Sequence, residues 1–234
     1  MSSVSWVFPP ADSADENGLV GIGADLAPDT LITAYARGLF PMPIEAEGPI
    51  AWWSPDPRAV IPLDGLHVSR SLRRSMTRFT ITIDTAFDEV IAACGDPTRP
   101  HGWIDQQMRD AYSRLHRLGW AHSVETRAHD GELVGGIYGV GIRRFFAGES
   151  MFHRANDASK VALAALVDVL GTAGVELFDV QWQTPHLASL GAIEISRSDY
   201  LRRLGHALTA DPAATGDSGE TTLSSDQKEP TITA

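Results

Sequence analysis

Apolar and polar residues alternate most regularly in the second half of the chain. Phe79–Ile83 reads as a short strand and Ala86–Cys94 as a helix that stops at Gly95. Asp105 caps a helix running to Leu118, with Met108, Tyr112 and Leu115 on one face and Gly119 as its stop. Period-two patterning over His122–Arg127, Glu132–Ile142 and Arg144–Phe152, with an Asp130-Gly131 turn, predicts an antiparallel meander. A helix opened by Asn156 or Asp157 then runs through Leu170, a strand spans Val175–Trp182, and short elements finish near Leu204. The N-terminal stretch is different. It is rich in proline and glycine turns and holds one clear helix, Asp29–Arg37, set between Pro28 and Gly38.

These elements predict an α+β (mixed α/β) fold. A small loop-rich N-terminal domain is expected over 1–58 and a sheet domain over 59–208, with its chemistry near the ends of the later strands. A polar, acidic tail over 209–234 lacks the apolar residues to join a core.

Composition narrows the class. With 234 residues, 43% of them hydrophobic, the chain can build one large domain with a small companion. Its longest apolar run, Val161–Leu170, is interrupted by Asp168 and is too short to span a bilayer, so no membrane partner is expected. The N-terminus has no basic flank or apolar h-region, and Cys94 has no second cysteine to pair with. A cytoplasmic monomer is the expectation. The net charge of −11 argues at first against nucleic acid, but it is unevenly spread. Most of it lies in residues 1–30, which have no Lys or Arg, and in the tail, leaving the middle near neutral. Arg70, Arg73, Arg74 and Arg78 cluster there without an intervening acid, and the arginine fork suits phosphate oxygens.

Three segments carry candidate chemistry. In Trp52-Trp53-Ser54-Pro55-Asp56-Pro57-Arg58, adjacent indoles point to different sides of an extended chain. Either one Trp plugs the junction between the two units, or one stacks on a base while Arg58 meets a phosphate. In Gly148-Glu149-Ser150-Met151-Phe152, alternation puts Phe146 and Phe152 on the side opposite Glu149 if no bulge intervenes. Glu149 either pairs with Arg154 or Lys160 or serves a site. In Asp179-Val180-Gln181, the two polar side chains share one face, with Phe178, Val180 and Trp182 on the other. They line either a solvated edge or a cavity. Metal spacings such as HxxxH, HExxH and CxxC do not occur, Gly21-Ile22-Gly23 is not a dinucleotide loop, and Cys94 reads as inert packing.

Taken in order, Asn17–Gly21, Gly23–Leu26, Tyr35–Pro41, Trp52–Arg58, Leu66–Ser71, Trp103-Ile104, Leu133–Gly136, Gly148–Phe152, Ala158–Lys160, Asp179–Gln181 and Ser189–Ala192 resemble the leucyl/phenylalanyl-tRNA–protein transferase family, over about residues 8–204. The Trp182–His186 run and the polar tail depart from the family pattern. The resemblance implies a GCN5-type N-acetyltransferase-like catalytic domain behind a small N-terminal one. It further implies transfer of Leu or Phe, with Met as a further candidate, from aminoacyl-tRNA to the α-amine of proteins beginning with Arg or Lys, which marks them for N-end-rule degradation.

The ester of such a donor is already activated, so neither metal nor cofactor is implied. Asp179, acting with Gln181, takes the place of the base, and Glu149 binds an amino group or the acceptor's cationic side chain. Ile137, Phe146, Met151, Leu166 and Leu170 are expected to line an apolar pocket for the amino-acid side chain. Trp52 or Trp103, with Tyr35 and Tyr112 nearby, would hold the terminal adenosine. Arg70, Arg73, Arg74 and Arg78 would meet tRNA phosphates. Two other functions compete: an acetyl-CoA-dependent N-acetyltransferase, whose glycine-patterned pyrophosphate loop Ser150–Lys160 lacks, and a non-catalytic RNA-binding module.

Overall fold

In the computed structural model, which describes residues 6–45, 48–99 and 103–209, the N-terminal stretch holds more order than its prolines suggest. Strands β1 (Leu19–Ile22), β2 (Phe40–Pro43) and β3 (Ile50–Trp53) form a small antiparallel sheet in the order β1-β3-β2, with helix α1 (Pro28–Ala36) between β1 and β2. Pro41 and Pro43 sit on β2, an edge strand, where a missing N–H costs least. Gly38, at φ +80°, ends α1 and makes the turn into β2.

After Trp53 the chain enters a second sheet. Its strands are β4 (Arg58–Val60), β5 (Thr80–Ile83), β6 (Ala121–Arg127), β7 (Leu133–Ile142), β8 (Phe145–His153), β9 (Leu177–Gln181) and β10 (Ile193–Ile195), in the order β10-β4-β9-β8-β7-β6-β5. The expected meander is β6-β7-β8, extended by β5. Helices α2 (Arg70–Met76), α3 (Phe87–Cys94), α4 (Gln106–Arg117), α5 (Ala158–Thr172), α6 (Pro185–Ser189) and α7 (Arg197–Thr209) surround it. Asp105 caps α4 by accepting from the Met108 N–H at 2.8 Å. Asp157, by contrast, is left-handed at φ 68° and caps nothing; its carboxylate accepts instead from Ser75 Oγ and Lys160 Nζ. Residues 210–234, where the polar tail is expected, lie outside the described residues. No helix of the described residues is long and apolar enough to cross a membrane.

Two irregularities of the larger sheet make room for a site. First, β8 and β9 are parallel, joined through α5, and pair only from Phe145↔Leu177 to Ala147↔Asp179. Beyond Ala147 and Asp179 the strands part. Second, β8 bulges. Tyr138 pairs with Ser150 and Gly139 with Gly148, so Glu149 is an extra residue without an opposite number.

The bulge reverses side-chain parity along β8. Phe145 and Ala147 before it and Phe152 after it pack in one core, with Tyr138, Val140, Tyr112 and the N-terminal elements. Phe146 packs in the other, beneath α5, with Ile137, Val124, Leu163 and Phe178. Phe146 and Phe152 therefore lie on opposite faces, a correction to the alternation expected from sequence. The first core runs without a break from Phe8, Leu31 and Trp52 to Phe145 and Tyr200, so the two sheets share it.

Gly139 permits the bulge. A Cβ there would press into the Ala147 carbonyl oxygen and the Phe146 ring, well inside van der Waals contact. Gly139→Ala is expected to destabilise the fold by about 1–3 kcal/mol through overpacking. Gly171→Ala in α5, where a Cβ meets nothing within 4 Å, should instead stabilise it by about 0.5–1 kcal/mol. Urea midpoints at unchanged m-value measure both; a parental midpoint for Gly139→Ala would mean the bulge relaxes around a methyl group.

Candidate active site

Where β8 and β9 part, two connected cavities open. A cleft of about 780 Å³ is lined by Phe40–Glu45, Arg99, Trp103, Glu149, Gln181, Trp182 and Thr184 among others. A narrower apolar pocket of about 120 Å³ lies beside it, walled by Ile137, Met151, Leu163, Val180 and Leu187. Glu149 and Gln181 line both, so the junction of cleft and pocket is polar.

The bulge presents Glu149 at this junction, and two phenols from other elements hold it. Tyr35 of α1 donates to Oε1 at 2.7 Å and Tyr112 of α4 approaches Oε2 at 3.2 Å, with the two hydroxyls 2.5 Å apart. Burial pushes both phenols well above their ordinary pKa, so they remain protonated donors. Burial also raises the Glu149 carboxyl, to about 7, and the nearby charge of Asp179 adds to the rise while the Tyr35 and Tyr112 hydrogen bonds oppose it. Neither basic partner considered from sequence reaches Glu149: Arg154 donates to the Leu133 carbonyl and Lys160 pairs with Asp157.

Asp179 has a different setting from the one a base requires. It is fully buried in β9, whose outer side β4 covers, so β9 is no solvated edge. Its Oδ1 accepts from Arg58 Nε (2.9 Å) and the Gln181 N–H (2.9 Å), and its Oδ2 from Arg58 Nη2 (2.6 Å) and the Tyr200 hydroxyl (3.0 Å). The lone-pair positions of a carboxylate number about four, and all are taken. Arg58 in turn is fully buried, donates to the Gly38 carbonyl and lies over the rings of Phe40 and Tyr200. Arg58 is thus no phosphate ligand. The signal in the sequence is a lone arginine opening the apolar run Arg-Ala-Val-Ile, which must meet a buried acid.

Gln181 ends β9 with φ +57°, an uncommon conformation for a side chain of its size, and its buried Nε2 has no hydrogen-bond partner. An unsatisfied amide N–H at the mouth of a pocket is a donor waiting for an acceptor oxygen.

The remaining candidates divide. Ile137 and Met151 line the pocket, but Phe146, Leu166 and Leu170 border a separate small void under α5 with His122 and Val124. They pack in the core beneath α5, Phe146 pointing there from the part of β8 before the bulge, and Leu163, Val180 and Leu187 complete the pocket instead. Trp103 lines the cleft. Trp52 does not: it is 2% exposed, donates to the Gly23 carbonyl and meets Phe8 edge-on, so it plugs the core. Tyr35 and Tyr112 are buried supports of Glu149 rather than faces for a base. The indole that sequence reasoning misses is Trp182, which lines the cleft edge-on to Phe40. Arg70, Arg73, Arg74 and Arg78 are exposed on and just after α2, with Arg78 bonded to Ser75. Among the described residues no group of three or more His, Cys, Asp or Glu side chains is placed to hold a metal.

A mixed α+β fold whose parted parallel strands set a bulged carboxylate and a free amide between an open cleft and an apolar pocket has the makings of an enzyme site. Its relatives say which. Residues 24–56 match the family profile described as the N-terminal domain of leucyl/phenylalanyl-tRNA protein transferase, and residues 60–205 match its main domain. The chain is 50% identical to the leucyl/phenylalanyl-tRNA–protein transferase of Anaeromyxobacter sp. (strain K), covering 86% of this chain and 88% of that one. It is 51% identical to that of Syntrophobacter fumaroxidans, over 85% and 86%. With the Pseudomonas putida KT2440 protein the identity is 50%, over 87% and 92%. The chain belongs to the leucyl/phenylalanyl-tRNA–protein transferase family. Among solved structures it is similar to AAC(6')-Iy, with a TM-score of 0.32 and 15% identity over 63% of this chain and 99% of that one.

Both acids yield stability tests. Arg58→Leu strands Asp179 without its cation and should cost about 3–5 kcal/mol, read as a lowered denaturant midpoint; a parental midpoint would make the pair dispensable. Glu149 acts in the opposite sense. Its proton is held more tightly in the folded than in the unfolded chain, so its contribution falls as pH climbs from the ordinary carboxylate range to about 7. Glu149→Gln should therefore match or exceed the parent's melting temperature at pH 8 and lose that part of the pH dependence.

Proposed function

We propose that this protein transfers leucine or phenylalanine from aminoacyl-tRNA to the α-amine of polypeptides beginning with Arg or Lys, marking them for degradation. The observation that carries this reading is the polar junction of Glu149 and Gln181 between a wide cleft and a narrow apolar pocket. A pocket of about 120 Å³ has room on the order of four liquid-water volumes, which suits a single branched or aromatic side chain. Met151 in its wall adapts to either shape. Trp103 and Trp182 offer ring faces to the terminal adenine, and the exposed arginines of α2 offer charge to tRNA phosphates.

With the aminoacyl side chain in the pocket, its ester carbonyl lies at the junction. The acceptor nitrogen attacks the carbonyl carbon, the C–N bond forms, and the bond to the ribose oxygen breaks. Gln181 Nε2 donates to the oxyanion that develops on the way. Glu149, whose pKa of about 7 is matched to neutral conditions, accepts the proton that the amine must lose and returns it to the departing ribose oxygen. Asp179 is a positioning residue: its hydrogen bond to the Gln181 N–H and its pairing with Arg58 hold the strained end of β9 in place.

The pH dependence of single-turnover transfer to an Arg-initiated peptide separates these roles. The parent rate is expected to rise through about 7 as Glu149 ionises and again near the amine's own pKa of about 7.7–8.0. Glu149→Gln should lose the first limb and about 10²-fold in rate. Asp179→Asn should lower the rate at every pH; recovery of that variant at alkaline pH would return Asp179 to the role of base. The pocket has its own test. Met151→Trp is expected to abolish transfer of both Leu and Phe while tRNA binding persists, and parental transfer of Phe would place the side-chain pocket elsewhere.

A further inference from the structure

The loop between α3 and α4 carries a residue that neither the pocket nor the junction uses. Arg99 is half-buried, with Nη1 donating to the Cys94 carbonyl at 2.9 Å and Nη2 to the Met151 carbonyl at 2.8 Å. A guanidinium has five N–H donors in a rigid fork, so two fix its place and the rest remain. Arg99 is the one cation among the described residues lining the cleft, and Trp103 follows four residues later on the same wall.

The acceptor is a poor occupant for this group, because an N-terminal Arg or Lys brings its own positive charge toward it. The donor is a better one. In an aminoacylated terminal nucleotide, the ester oxygen, the base and the 5′-phosphate all hang from one ribose. With the ester between Glu149 and Gln181 and the base against Trp103, the phosphate stays inside the same cleft. We propose that Arg99 binds the 5′-phosphate of the terminal nucleotide of the donor, and that its bond to the Met151 carbonyl ties this clamp to the side-chain pocket. The proposal rests on the transfer reading above. It separates two phosphate contacts: exposed arginines on α2 that attract the body of the RNA, and one braced arginine that registers its reactive end.

Two minimal donors decide it: the phenylalanyl ester of adenosine and the phenylalanyl ester of adenosine 5′-monophosphate, each tested with an Arg-initiated peptide. For the parent, the phosphorylated donor should have a KM about tenfold lower, the scale of one charge-assisted hydrogen-bonded contact in a partly open site. In Arg99→Gln that ratio should collapse toward one. Glutamine keeps N–H donors for the Met151 carbonyl, so loss of the brace alone would move both KM values together and leave the ratio standing. Arg99→Lys should keep part of the advantage. An unchanged ratio in Arg99→Gln, a parental ratio near one, or a defect confined to the KM of the peptide would each overturn the assignment. A parent protein that transfers from neither minimal donor nor Leu-tRNA would remove the transfer reading itself, and this clamp with it.

Discussion

The ion pair between Arg58 and Asp179 is the constraint on which the site depends. Taking two charges out of water costs several kcal/mol per ion even after relaxation, and this pair sits where neither partner is exposed. Bidentate geometry, the Tyr200 hydroxyl, the Gly38 carbonyl and two aromatic rings offset that cost. The contacts come from five separate places: β4, the turn after α1, β2, β9 and α7. A single buried charge pair thus fastens the N-terminal unit and the last helix to the strand whose final residue faces the cleft. The same carboxylate holds the N–H of Gln181, so the left-handed turn of that residue is maintained from behind.

Around that anchor, the sheet produces its cavity by two interruptions of regular pairing. Parallel strands that stay paired bury their backbones and leave no room between them. Here β8 and β9 pair for three residues and then separate, just where β8 takes on an extra residue. The bulge turns Glu149 toward the opening and shifts every later side chain of β8 to the other face. Gly139, with no space for even a methyl group, is what the opposite strand contributes to it. Packing on both faces absorbs the irregularity: α5 covers one, while α3, α4 and the N-terminal elements cover the other.

Charge is distributed to match. The acidic excess of the whole chain lies largely in its two ends, whereas the cleft combines two carboxylates, Glu45 and a Glu149 supported by phenols rather than by a cation, with one arginine tethered to backbone carbonyls. Glu149, left without a cationic partner, keeps a raised pKa at some cost to stability, and in the transfer proposed above that pKa suits it to take a proton near neutrality.

Sequence by itself determined the helices with clear stops, the β6-β7-β8 meander, the helix-then-strand order of α5 and β9, and the segments that identify the family. Those features are local: a cap, a glycine stop or a period of two or 3.6 is written within a dozen residues. It also singled out Glu149 and Gln181, because a carboxylate or amide in an apolar strand is conspicuous, while Met151 and Trp103 were named only through the family resemblance. Only the tertiary structure decided which partners they have. Arg58 and Asp179 are 121 residues apart, and Tyr35 and Glu149 are 114 apart. Nothing in the periodicity of either segment records the other. The short strands β4 and β10 exist only because a neighbour completes their hydrogen bonds, so periodicity alone leaves β9 a candidate edge. The faces of Phe146 and Phe152 turned on one inserted residue in a ladder, and the choice between Trp52 and Trp103 turned on which indole the core had room to enclose. Register, burial and long-range pairing are properties of two or more segments at once, and a single segment carries no physical trace of them until the chain has closed.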